Sequence, residues 1–510
     1  MRDELQWIEG TDYAPVPPRC STWLGPWRQL MSDSNYEGDA TKPRAPDPAT
    51  VPPSRRPTRT RPFFNRLLRS LTPPSSAPET AASERRAQHA IATCRALLSE
   101  RGEVSGARLA AEALAAYRSL DGRALQVFFD LLVDEFSPDP DQVLRAADAY
   151  RNERSQGHLV RLQEAVQPPR QELFRRFNTA PGGTAVLVDL RRQLLPTLND
   201  HPQRAGIDAD LTHLFRSWFS RGFLVLQRID WRTSAFLLER LIQYEAVHQI
   251  QGWRDLRRRL EADRRCFAFF HPALPDEPLI FIEVALTTEM SAQVQPLIDA
   301  DSPVADPAQA RAAIFYSITN CQEGLRGVWF GNFLIKQAVE DLKREFPRLR
   351  TFATLSPISG FCRWLATPAV DEPLSSELES LLVRLTSRDP LADLAISPRV
   401  QVEVTRLCAR YLLHAKKGHV PLDPIARFHL ANGARLERLN WMGDTSPAGI
   451  RRSLGLMVNY VYRLADVERN HEAYAKHYEI VASHELEKLA RKIPRVSAEP
   501  FFKRRATSSK

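Results

Sequence analysis

The chain has 510 residues, 43% hydrophobic and 26% charged, which is too long for one compact core yet apolar enough to fold. Lysine and arginine exceed the acids by 9, a modest surplus for this length. No apolar run reaches the ~18 residues of a spanning helix, the opening MRDELQWIEG lacks the basic-then-apolar order of a secretory leader, and the six cysteines (20, 94, 266, 321, 362, 408) form no CxxC pair. A membrane span, a disulfide framework and a zinc-thiolate site are disfavoured, and a reducing, cytoplasmic compartment fits best.

Residues 1–85 hold most of a proline-rich, Ser/Thr/Arg-rich stretch: 14 of the 38 prolines lie in the first 80 positions. That composition reads as a disordered extension, interrupted by one basic amphipathic patch, FFNRLLRSL (63–71). From 86 to 222 the pattern is helical. ARLAAEALAAYRSL (107–120) spaces Leu109, Ala113, Tyr117 and Leu120 by three or four, and Asp139 before Pro140 reads as an N-cap with proline in the first turn. This region carries no nucleophile, metal spacing or phosphate loop, and reads as a helical assembly domain.

Residues 223–495 change character. CFAFFH (266–271), EPLIFIEVALT (277–287), AAIFYSIT (312–319) and LRTFATLSP (349–357) are strand-like runs, and NFLIKQAVEDLKREF (332–346) is a helix with Ile335, Val339, Leu342 and Phe346 on one stripe. Ser376 and Glu379 are spaced as a capping box, and VEVTRLCARYLLHAKKG (402–418) reads as a helix stopped by Gly418, so 370–418 is a helical insertion. RDLRRRLEADRRC (254–266) is basic but broken by Glu261 and Asp263, with few stacking aromatics; it reads as a solvated helix face, not a nucleic-acid surface. His471, His477 and His484 fall in a final amphipathic helix without metal spacing, and 496–510 is a basic tail.

Four segments could carry chemistry. In GLRGVWFGNFLIK (324–336) a strand feeds a loop with Gly324, Gly327 and Gly331 that opens onto a helix, where free N–H groups favour an anion and Arg326 adds a positive fork. The spacing is neither the Walker nor the GxGxxG pattern; it resembles the pyrophosphate loop of acetyltransferase-like folds, and it equally fits a tight turn with an exposed arginine. In FATLSPISGF (352–361) Ser356 precedes Pro357, which keeps it extended and projects its hydroxyl from a turn; this is no nucleophile elbow, and on pattern alone a structural serine is the simpler reading. In LDPIARFHLANGARLERLNW (422–441) Asp423 caps a helix begun by Pro424 and ended by Gly433, with Ile425 and Phe428 facing inward and His429 on the adjacent face toward a cleft. A lone histidine there is more often a satisfied structural group. In GLMVNYVYRL (455–464) Asn459, Tyr460 and Tyr462 sit in an apolar run, with core packing the default and a supporting role for Tyr462 the sharper reading.

Taken in order, SWFSRGFLVLQRIDW, RRCFAFFHPALPDEPLIF, AAIFYSITNCQEGL, FGNFLIKQAVEDLKREFP, LSPISGF, ARFHLANGARLERLNWM and GLMVNYVYRL resemble the malonyl-CoA decarboxylase family. The resemblance covers most of the C-terminal half and matches 86–222 in character. It implies an α+β chain: an all-α helical assembly domain, then an acetyltransferase-like (GNAT-type) mixed α/β catalytic domain with a helical insertion. It implies coenzyme A on the loop Arg326, Gly327, Val328, Trp329, Phe330, Gly331 and Asn332, with Ser356 and His429 acting on the malonyl group, and a homo-tetramer built through the helical domain. Trp329 stands where some members carry a carboxylate, and the C-terminal ATSSK lacks a Ser-Lys-Leu-type peroxisomal address.

The expected reaction takes malonyl-CoA to acetyl-CoA and CO2. The thioester is its own electron sink, so no organic cofactor or metal is called for. His429 is assigned as proton donor because imidazole holds a transferable proton near neutral pH, Ser356 as the partner of the malonyl carboxylate, and Tyr462 as an orienting group. An acyl-CoA N-acyltransferase of the same fold and a non-catalytic acyl-CoA-binding scaffold are the alternatives; no nucleic-acid partner is expected.

Overall fold

A computed structural model describes residues 76–100, 103–328, 334–367, 370, 373–385 and 396–491. The sequence expectations for the patch at 63–71, for residues 1–75 of the extension and for the basic tail lie outside these residues, whereas residues 76–85, expected to belong to the disordered extension, lie in the first helix.

Among the described residues the N-terminal part consists of helices α1 (Ser76–Ser99), α2 (Glu103–Arg118), α3 (Gly122–Phe136), α4 (Pro140–Asn152), α5 (Gln156–Val166), α6 (Pro169–Thr179), α7 (Gly183–Leu194) and α8 (Ala205–Trp218). The core forms where apolar stripes meet: Phe128, Phe129 and Leu132 of α3, Leu173, Phe174 and Phe177 of α6, Leu187 and Leu190 of α7, and Leu211 and Phe215 of α8 are all fully buried. Asp139 caps α4 by accepting Asp141 N–H, with Pro140 in the first turn. Helices α4 and α5 pack on each other, and Ala165 is their one buried residue.

The C-terminal part is built on strands β1 (Val225–Ile229), β2 (Arg264–Phe270), β3 (Ile280–Thr287), β4 (Ala312–Asn320), β5 (Thr351–Thr354), β6 (Ser356–Pro357), β9 (Arg435–Asn440) and β10 (Met457–Val461), with a small hairpin of β7 (Lys416–Lys417) and β8 (Val420–Pro421). The sheet runs β1-β2-β3-β4-β5-β10-β6, and β9 also pairs β10. Interleaved are α9 (Ala235–Tyr244), α10 (Trp253–Arg259), α11 (Gln295–Ile298), α12 (Leu334–Glu345), α13 (Phe361–Leu365), α14 (Ser376–Leu385), α15 (Pro398–His414), α16 (Pro424–Ala431), α17 (Pro447–Ser453), α18 (Val467–His477) and α19 (His484–Ala490). The class is α+β, with α14 and α15 as the helical insertion between sheet elements.

One irregularity shapes the site. Strands β4 and β5 pair in parallel only from Ala312↔Thr351 to Phe315↔Thr354, while β4 runs on to Asn320. On its other edge β4 carries a bulge: Val284 faces Phe315 and Glu283 faces Ser317, so Tyr316 is the extra residue. A bulge bends and twists its strand, and here it coincides with the point where β5 ends. The parallel ladder therefore stops just before Ser356, and the carboxyl ends of parallel strands are where open α/β sheets place ligands.

Four local expectations are corrected. The basic stretch 254–266 is not a solvated face: Arg258, Arg259, Arg264 and Arg265 are all buried. Arg258 and Arg264 reach Asp263 at 2.7 and 2.9 Å, Arg259 reaches Asp255 and Glu283 at 2.8 Å each, and Arg265 reaches Glu345 at 2.6 Å. Buried cations persist only when paired, and Asp263, which had looked like an interruption, is a partner. The cap of α14 is Ser375, whose Oγ accepts Leu378 N–H at 3.2 Å, one residue before the expected Ser376. Helix α15 ends at His414, and Gly418 instead supplies the left-handed residue (φ 62°) of the β7–β8 turn. The final helix is two, since Tyr478 takes a left-handed φ of 54° after α18.

Candidate active site

Ser356 sits in the two-residue strand β6, with Ser356 opposite Val458 and Pro357 opposite Met457. Strand pairing, and not a free turn as expected, keeps it extended, and Pro357 excludes helical geometry before it. Leu355 N–H donates to Phe315 O at 2.9 Å, which ties this segment to β4 at the bulge. His429 lies on α16, which Asp423 caps through Ala426 N–H at 2.8 Å and which Pro424 begins. Gly433 (φ 78°) ends it, and a Cβ there would stand 2.1 Å from Val467 O. The buried residues are Ala426, Arg427, His429 and Leu430; Ile425 and Phe428, expected to face inward, are half-buried. Tyr460 and Tyr462 come from β10 and the residue after it, both fully buried.

These elements bring the three expected catalytic side chains together. Ser356 Oγ lies 3.0 Å from His429 Nε2, and His429 Nδ1 lies 2.8 Å from the Tyr462 hydroxyl. Ser356 Oγ donates to Thr354 Oγ1 at 2.8 Å, and Thr354 Oγ1 also accepts Tyr460 N–H at 3.2 Å. The Tyr460 ring stacks on the imidazole, centroids 4.5 Å apart. Because the Ser356 proton is spent on Thr354, its lone pair faces His429. This direction assigns the neutral imidazole a proton on Nε2 and leaves Nδ1 to accept from Tyr462. The chain runs one way, Tyr462 to His429 to Ser356 to Thr354.

Its electrostatics differ from the sequence expectation. Burial pushes the His429 imidazole down to about 3, and the Tyr462 phenol well above its ordinary value. His429 is therefore neutral at physiological pH, and the near-neutral titration that motivated its choice as proton donor does not survive burial. A neutral imidazole still carries one N–H, and a phenol on the other nitrogen can replace it as it leaves.

Thr354, Tyr460 and the second role of Asp423 were missed by sequence reasoning. Thr354 and Tyr460 stand two residues from Ser356 and Tyr462, so strand alternation could have placed each pair on one face. Asp423 was legible as a cap, but not its other oxygen, Oδ2, which accepts Ser359 N–H at 3.2 Å. Asn459, fully buried, is a strut: it donates to Thr354 O at 2.7 Å and accepts from Asn440 at 2.8 Å.

Of the expected coenzyme loop, Arg326 is exposed, Gly327 has a left-handed φ of 77°, and Val328 is buried. Trp329, Phe330, Gly331 and Asn332 lie outside the described residues. Gly324 is not free for a ligand to approach. A Cβ there would stand 1.9 Å from Val188 O, so packing on α7 is what demands glycine.

Comparison with known proteins bears on this arrangement. The family models for the malonyl-CoA decarboxylase N-terminal and C-terminal domains match residues 136–219 and 222–499. Malonyl-CoA decarboxylase, mitochondrial, of Anser anser anser is 36% identical over 415 residues, covering 74% of this chain and 82% of that protein. The crystal structure of malonyl-CoA decarboxylase from Rhodopseudomonas palustris matches with TM-score 0.74 and 49% identity over 79% of this chain and 99% of its own. That from Agrobacterium vitis gives 0.72 and 48% over 78% and 99%. The chain belongs to the malonyl-CoA decarboxylase family.

Proposed function

We propose that this chain, a carboxy-lyase by its family, converts malonyl-CoA to acetyl-CoA and CO2 on the hydrogen-bonded chain Tyr462–His429–Ser356, with the coenzyme moiety on loop 326–332. The observation that carries the reading is the single direction of that chain, which leaves a donor N–H on a buried, neutral imidazole.

The bond between C2 and the malonyl carboxylate breaks, and its electron pair moves into the thioester carbonyl to give an enolate. Loss of CO2 moves the carboxylate's charge onto the enolate oxygen, and protonation at C2 then removes it from a site whose Ser356 and His429 are buried and where water solvates a charge poorly. The enolate then takes a proton at C2 from His429 Nε2, while Tyr462 delivers its proton to Nδ1, so the imidazole never becomes an anion. Solvent restores the phenol, and one proton is consumed per turnover. Ser356, held by Thr354, turns its hydroxyl to the malonyl carboxylate in the bound state. Oriented donors at the developing oxyanion are worth roughly 3–4 kcal/mol each. The electron sink is the thioester, so this route calls for no organic cofactor.

The expected assembly belongs to the same proposal. The α4–α5 hairpin exposes Leu144, Val160 and Val166 and buries only Ala165, a surface that suits association of copies into the tetramer through the helical part. We place the protein in the cytoplasm, in keeping with its five described cysteines being unpaired.

The test is release of CO2 from malonyl-CoA by the purified protein with acetyl-CoA quantified alongside. Equal amounts of both, lost in His429→Ala with CoA affinity retained, are expected. CoA binding without CO2 would overturn the reading.

A further inference from the structure

The helical part reaches into the coenzyme loop through one side chain. Arg191, on α7, is buried. Its Nε donates to Asp208 Oδ1 of α8 at 2.7 Å, and its Nη1 donates to Gly324 O at 2.9 Å and to Arg326 O at 2.6 Å. The first carbonyl lies inside a short 3-10 turn, Glu323–Leu325, and the second just after it; Leu325 of the turn is fully buried and its Gly324 rests on Val188 of the same α7 helix. Immediately beyond lies Gly327, with a positive φ of 77°. A guanidinium is a rigid fork, so an arginine held by Asp208 at one nitrogen also fixes the two backbone carbonyls it reaches with another. Burial pulls this guanidinium below its ordinary value while Asp208 opposes, and the Arg326 charge adds to the downward pull. The cation is thus kept there by fixed partners and stands near the exposed Arg326.

We infer that Arg191, oriented by Asp208, is a positioning residue for coenzyme A: it acts through the backbone of Gly324 and Arg326 and touches no reacting atom. The inference rests on the coenzyme reading of the loop. It makes the helical part a structural support of substrate binding as well as an assembly element, and it fixes the backbone of Gly324 and Arg326 before a coenzyme arrives.

The experiment compares wild type with Arg191→Lys, which keeps the charge but loses the fork, and with Asp208→Asn, which frees the fork to rotate. Each is assayed with malonyl-CoA and with malonyl-pantetheine, which has the same reacting group without the phosphorylated nucleotide. Binding of CoA alone is measured by calorimetry. For Arg191→Lys we expect the malonyl-CoA KM and the CoA Kd to rise about tenfold, the effect of losing one or two charge-assisted hydrogen bonds. We expect kcat within about twofold of wild type and malonyl-pantetheine kinetics nearly unchanged. Asp208→Asn should shift the same two constants in the same direction, by less. Unchanged constants in folded Arg191→Lys, or equal losses with both substrates, would overturn the inference. Should Arg191→Lys fail to fold, Asp208→Asn decides it by the same split. A wild type that handles both substrates with equal kcat/KM would sink the coenzyme reading of the loop instead, so the two failures are distinguishable.

Discussion

The Asp423 carboxylate joins the segment that carries Ser356 to the helix that carries His429: one oxygen accepts Ala426 N–H at 2.8 Å in the first turn of α16, the other accepts Ser359 N–H at 3.2 Å. Asp423 is fully buried, and burial raises its carboxyl above the usual range while these backbone donors hold it down. Its substitution should disturb the 3.0 Å approach of Ser356 to His429 without removing either group. Asp423→Ala should cost about 1–2 kcal/mol, as loss of an N-cap does, and lower kcat about tenfold or more by misplacing the pair. Asp423→Asn keeps an acceptor oxygen and should recover most of the stability. A kcat for Asp423→Ala equal to wild type would show that the bridge is dispensable for chemistry.

Tyr462 and Ser356 have different parts in the proposed proton path, and their variants should differ accordingly. Tyr462→Phe leaves Nδ1 without a donor, so kcat should fall by about 10²–10⁴, the usual worth of a placed proton donor, with KM little changed. Ser356→Ala removes the proposed carboxylate contact and should raise KM as well as lower kcat. Steady-state kinetics on both variants, beside CoA affinity, checks the division; identical profiles would contradict it.

Burial of His429 also has a consequence for stability. The unfolded chain takes up a proton on this imidazole near pH 6.5, whereas the folded chain refuses it until about 3. Between those values the unfolded state binds more protons, so stability falls as pH falls, at roughly 1.4 kcal/mol per pH unit from this group alone. Groups common to both proteins cancel in a comparison of wild type with His429→Gln. The variant's denaturant-unfolding free energy should therefore drop less steeply between pH 6 and 4.5. Parallel profiles would mean that the imidazole is protonated in the folded state. The same neutrality predicts no inflection in kcat near pH 6.5.

Much of the frame was legible because local periodicity carries it. The β-branched and aromatic runs at 266–271, 277–287, 312–319 and 349–357 overlap β2, β3, β4, β5 and β6, and the stripe Ile335, Val339, Leu342 lies on the buried face of α12. The Ser356, His429 and Tyr462 segments stood out by residue type and by resemblance, and the fold brings them within hydrogen-bond distance. Their network was not legible. Alternation could put Thr354 on the face of Ser356 and Tyr460 on that of Tyr462, but joining the two pairs needs the pairing of β6 with β10, and the charge state of His429 depends on burial that no local pattern reports. The buried arginines failed for the same reason. Arg265 is paired by Glu345, eighty positions away, and an isolated basic run looks solvated until such partners are seen.

Gly324 and Gly327, three residues apart in one loop, should answer to substitution in opposite ways. Gly327 has a positive φ of 77° and nothing within 4 Å of a built Cβ, so Gly327→Ala meets only the left-handed backbone penalty of about 1 kcal/mol. Gly324 has ordinary φ, but its Cβ would fall 1.9 Å from Val188 O and 2.8 Å from Val188 C. A backbone atom cannot swing aside, so Gly324→Ala must push the loop off α7 and strain the two hydrogen bonds from Arg191. The expected cost is about 1–3 kcal/mol, as for overpacking in a core, together with a raised KM for malonyl-CoA. Thermal unfolding and KM measured on both variants check the contrast. Equal destabilisation with no change in KM for Gly324→Ala would mean that the loop yields locally and that its seat on α7 does not govern coenzyme binding.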